Sequence, residues 1–72
     1  MKRLRYAVYQ CEAYRLVGKA ISRHATLEEA EAGMRKCLLP GFVEVAVVTK
    51  DGYPVRSMTA AEAMAEEGEA EE

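Results

Sequence analysis

The chain is poor in the residues that usually carry chemistry. Among 72 residues there is one histidine, His24, two cysteines, Cys11 and Cys37, two prolines and no tryptophan. Two cysteines this far apart are too few for a disulfide framework, and with a single histidine they show no zinc-ligand spacing. They read as half-buried thiols of a reducing compartment. No apolar run approaches the roughly 18 residues a membrane-spanning helix needs. The basic start, Met1 to Arg5, resembles the n-region of a signal peptide, but Tyr6 to Cys11 is too short and polar to follow as an h-region. A cytoplasmic location is therefore expected, with no membrane contact.

Catalytic motifs are equally scarce. Gly18-Lys19 lacks the upstream glycine loop of a phosphate-binding motif, and no dinucleotide fingerprint occurs. A dyad of His24 with Cys11 or Cys37 is conceivable, since distant residues can meet in a fold. Nothing in the sequence marks His24 as a general base, and it falls where a strand should give way to a helix. We expect no enzyme, no cofactor and no metal.

What the chain does have is apolar content and an uneven charge distribution. Half the residues are apolar, too many for overall disorder. The net charge of −2 hides a split. Residues 1–58 hold all 10 Lys and Arg and 6 acids, a balance of +4; residues 59–72 hold 6 Glu and no base, a balance of −6.

The signature of a capping box, in which a Thr and a Glu three residues later satisfy each other's backbone N–H groups, occurs twice. It is present at Thr26-Leu27-Glu28-Glu29 and at Thr59-Ala60-Ala61-Glu62. Before the first box, Leu4 to Gln10 and Tyr14 to Ile21 alternate with the period of strands. A three-residue loop at Cys11-Glu12-Ala13 would set Gln10 opposite Tyr14, Val8 opposite Leu16, Tyr6 opposite Gly18 and Leu4 opposite Ala20. After Thr26, residues Leu27, Ala30, Met34, Cys37 and Leu38 form one helical stripe. Gly33 sits in that helix at a cost of about 1 kcal/mol relative to Ala, and it permits a close approach to the sheet. Pro40-Gly41 ends the helix.

Phe42 to Thr49 is apolar at both parities, as for a strand covered on both faces or lying centrally in the sheet. Asp51-Gly52 predicts a tight type I′ turn, and Pro54 places the following strand, Tyr53 to Ser57, at an edge. The second box then opens a short, Ala-rich helix. The expected architecture is α+β: a two-layer sandwich of a four-stranded, mainly antiparallel sheet and one packed helix, ββαββ, plus a short C-terminal helix. The expected divisions are a ββαββ domain at 1–58, the short helix at 59–66 and an acidic disordered tail at 67–72.

With Val17-Gly18-Lys19-Ala20, Thr26-Leu27-Glu28-Glu29-Ala30 and Lys50-Asp51-Gly52 as the matching pieces, residues 5–56 resemble a group of small bacterial strand–strand–helix–strand–strand domains. That group has no settled activity, so the resemblance implies a fold and no chemistry.

Two functional readings follow. A sheet covered by one helix leaves Val17 and Ile21, with Phe42 or Val48, on its open face, which suggests a homodimer or another protein partner. This makes the chain a non-enzymatic binding or adaptor module. The alternative is a weak nucleic-acid binder. In the register above, Arg3, Arg5, Arg15, Lys19 and Arg23 share one face with Tyr9, which could stack on a base while the acidic tail competes.

Overall fold

The computed structural model describes residues 3–41 and 43–70. The order is β1 (Tyr6–Glu12), β2 (Arg15–His24), α1 (Leu27–Leu38), β3 (Val45–Lys50), β4 (Tyr53–Thr59) and α2 (Ala60–Ala70). The strands form one antiparallel sheet in the order β2-β1-β3-β4. This is the expected α+β sandwich, with α1 packed on the sheet. As its composition implied, β3 is central, and β4 with Pro54 lies at an edge.

The helix α1 forms as its sequence predicts. Thr26 is extended, at φ −127° and ψ 157°, and its hydroxyl accepts the Glu29 N–H at 3.2 Å. Glu28 and Glu29 occupy the first turn and Arg35 and Lys36 the last, which suits the helix dipole. Ala30, Met34 and Leu38 are fully buried, and Cys37 packs beside them. These side chains meet Val8, Ala46, Val48 and Met58 from the sheet and Ala63 from α2 in one core. Leu27, expected on the stripe, lies at its exposed end.

Two-residue turns close both hairpins. Asp51 and Gly52 have φ of 51° and 88°, the positive pair that a type I′ turn requires. The first hairpin turns at Ala13 and Tyr14, with φ of 49° and 66°. Neither residue favours the left-handed region, so the sequence does not announce this turn. Its shortness corrects the expected register. Gln10 faces Val17 and Cys11 faces Leu16, instead of Gln10 facing Tyr14. The pairing has slipped by an odd number of residues, which turns each side chain of that stretch to the opposite face.

Farther along, β2 bulges. Val8 pairs with Ser22 and Gln10 with Val17, so Tyr9 alone spans Gly18 to Ile21. Gly18, at φ +70°, supplies the backbone conformation for this bulge. The slip is again odd, so the faces swap back. Tyr6 therefore opposes His24, not Gly18, and exposed Leu4 precedes the strand.

The second helix also departs from expectation. It runs through Ala70, beyond the expected end at 66, so the segment 67–70 is helical. Glu71 and Glu72 of the expected disordered tail lie outside the described residues. Thr59 caps this helix: it accepts the Glu62 N–H at 3.1 Å and donates its hydroxyl to Glu62 Oε1 at 3.2 Å. Met58 and Ala63, on either side of this cap, are both buried in the core. The Ala60 N–H also donates to the Glu44 carbonyl at 2.8 Å, which ties the start of α2 to the segment before β3.

Candidate functional site

The open face of the sheet is built from alternate residues of the central strands. Val8 and Val48 point into the core, so Ala7, Tyr9 and Cys11 of β1 and Val47 and Thr49 of β3 point the other way. Leu16, opposite Cys11, joins them. Both helices lie on the other side of the sheet, since Ala63 of α2 enters the same core as Met34 of α1. Among the described residues, no element covers the open face. A groove of about 370 Å³ runs across it, lined by Cys11, Leu16, Val45, Val47, Pro54 and Ser57, with Tyr14 at its edge.

This face differs in membership from the one the sequence suggested. Val48 is completely buried under α1 and contributes nothing to the open side. Val17 is half exposed and opposes Gln10, which shares the parity of core residue Val8. Ile21 lines a different groove, against α1. Phe42 lies outside the described residues. The odd slip at Ala13-Tyr14 is the physical reason: it removed Val17 from the open face and brought Leu16 there. Recognising the short turn would have found Leu16, but two non-glycine residues at positive φ give little warning of one.

Of the six residues of the suggested basic face, the slip and the bulge displace Arg15 and Lys19. Tyr9 lies on the open face, and so does Arg23, which opposes Ala7. Arg15 opposes Glu12, at the parity of the helix side. Lys19 is exposed within the β2 bulge. Arg3 is exposed ahead of β1. Arg5 is engaged: its guanidinium donates from Nε and Nη2 to Asp51, with the shortest contact at 2.6 Å. The Asp51 N–H also donates to the Arg5 carbonyl at 2.9 Å. The hydrogen bonds from Arg5 hold the Asp51 carboxyl below its ordinary pKa, and Asp51 raises that of Arg5. Of the acidic residues after Thr59, Glu66 pairs with Arg35 and Arg56 on the helix side.

A second groove, of about 480 Å³, follows the seam between β2 and α1 and is lined by residues including Ser22, His24, Gly33, Lys36 and Cys37. His24 Nε2 lies 2.8 Å from Ser22 Oγ. The imidazole rests on Gly33, where a Cβ would stand 2.7 Å from Nε2. This explains a mid-helix glycine that helix propensity disfavours. Cys37 lines the same groove, but its thiol donates to the Met34 carbonyl at 3.0 Å. Burial pushes the pKa of that thiol up, opposite to the shift that activates a cysteine. Cys11 lies on the other side of the sheet. The structure thus seats His24 beside Ser22, with both thiols engaged or placed elsewhere. Among the described residues, no group of three His, Cys, Asp or Glu side chains is arranged to hold a metal ion.

No described helix is long and apolar enough to cross a membrane. No family model, curated protein or solved structure matches the chain. Its class is therefore given by architecture alone, a small ββαββα domain of the α+β type.

Proposed function

We propose that this chain is a non-enzymatic binding or adaptor module that works through the open sheet face and pairs there with a second copy of itself. The observation that carries this reading is the placement of both helices on one side of a sheet whose central strand is apolar on both. The groove residues Leu16, Val45, Val47 and Pro54 present apolar surface around Cys11 and Ser57. None of these is charged, so two copies can meet there without desolvating like charges. The molecule measures 38 × 29 × 17 Å. A face bounded by the two longer dimensions has room for the roughly 800 Å² per partner of a standard interface.

Sedimentation equilibrium across a concentration series tests the reading. The wild-type chain should dimerise, and Leu16→Glu should be monomeric, with the melting curve of the wild-type chain at dilutions where that chain is itself monomeric, because Leu16 is already 44% exposed. A wild-type chain that stays monomeric at millimolar concentration removes the self-association reading.

The weaker reading, nucleic-acid binding, draws its support from Tyr9 and Arg23 on the same open face. It predicts a salt-dependent gel shift with single-stranded nucleic acid that Arg23→Ala weakens. No shift at low salt sets it aside.

A further inference from the structure

The carboxylate of Glu66 is held between arginines from two different elements. Arg35 of α1 donates from Nε to Glu66 Oε2 at 2.7 Å. Arg56 of β4 brings Nη2 to 4.0 Å from Glu66 Oε1. On its other side Arg56 is braced by Glu31, with Nε 3.5 Å from Oε2. The two arginines stand on well-anchored backbone: Arg35 follows the buried Met34, and Arg56 lies two residues before the buried Met58. Glu66 is less firmly seated. Among the described side chains of α2, Ala63 alone is fully buried, and Met64 is half exposed. A helix this short is marginal without such packing.

The result is a pair of cations on well-anchored backbone whose occupant sits on a lightly packed helix. Guanidinium groups converging on one set of oxygens form the arrangement that recognises carboxylate or phosphoryl oxyanions. We propose that Arg35 and Arg56 form an anion site, for a carboxylate or phosphoryl group, which Glu66 fills from within the chain. An external anion and a docked α2 then compete for the same two side chains. This does not depend on how the open face is used, since the site lies on the helix side.

The experiment follows the arginine side-chain Nε–H signals and the α2 backbone amides of the full chain by NMR. Inorganic phosphate, acetate and sodium chloride are added in parallel at matched ionic strength. Phosphate or acetate should shift the Arg35 and Arg56 signals saturably and speed amide exchange in α2, whereas chloride should not. Response to both anions assigns any oxyanion to the site, and response to phosphate alone assigns a phosphoryl group. Glu66→Gln removes the internal competitor and should tighten the effective anion by about two- to five-fold, the range of an exposed ion pair. The double variant Arg35→Gln, Arg56→Gln should lose the anion-dependent change in α2 amide exchange. Glu66 is solvent-accessible, so its variant is expected to keep the wild-type melting curve of the β-sheet and α1. Equal shifts from all three salts would overturn the proposal, as would an anion affinity that Glu66→Gln leaves unchanged.

Discussion

The two faces of the sheet are made by the same strands and have opposite fates. On the helix side, Val8, Ala46, Val48 and Met58 interlock with Ala30, Met34 and Leu38 and are removed from water. On the open side, Val47 and Ala7 at the centre of the sheet are also buried, while Leu16 remains about half exposed. Alternation along β3 therefore does not separate apolar from polar residues. It divides apolar residues between a core and a surface, and the surface is where the proposed second copy would add free energy.

Substitutions on the two faces should differ most. Met34→Ala deletes a completely buried side chain and should destabilise the fold by about 2–5 kcal/mol in denaturant titration. Leu16→Ala should change the stability of the monomer by less than about 1 kcal/mol while weakening self-association. Equal costs at the two positions would show that the open face is packed in a way its exposure does not suggest.

A comparison within the helix side comes next. Gly33→Ala gains about 1 kcal/mol of helix propensity, but its methyl would meet the His24 ring. It should therefore stabilise a His24→Ala background by about 1 kcal/mol and fall short of that in the wild-type chain. A gain of the same size in both backgrounds would remove His24 as the reason for the glycine.

The two caps give a smaller contrast. Thr26→Ala should cost about 1 kcal/mol of global stability, the usual value for a lost N-cap. Thr59→Ala should appear mainly as faster amide exchange in α2, because a lightly packed helix can open without the rest.

The smallest effect concerns acid. Arg5 lowers the folded-state pKa of Asp51, so the contribution of Asp51 is present above its unfolded pKa. That contribution is lost as pH falls through the lower folded value. Asp51→Asn should lower the melting temperature across the neutral and alkaline range, where ionised Asp51 contributes, and flatten the acid limb in a pH series of thermal melts.

Much of the architecture was legible from local chemistry. The stripe around Ala30, Met34 and Leu38 specified α1, Thr26 and Thr59 marked both helix starts, and Asp51-Gly52 specified the second hairpin. The membership of the candidate face was not legible in the same way. It depends on whether the first turn has two residues or three, and Ala13-Tyr14 carries no glycine or asparagine to say so. Parity then propagates the difference, replacing Val17 with Leu16 and turning Arg15 to the helix side.

The sequence by itself determined the elements, their order and the central and edge positions of β3 and β4. Periodicity, caps and turn residues act over a few neighbouring positions and need no distant partner. Only the tertiary structure decided the register of β2, the seat of His24 on Gly33 and the docking of α2 beside α1 through Ala63 and Glu66. Those outcomes depend on contacts between residues distant in the chain, where sterics and charge act only after the sheet has formed.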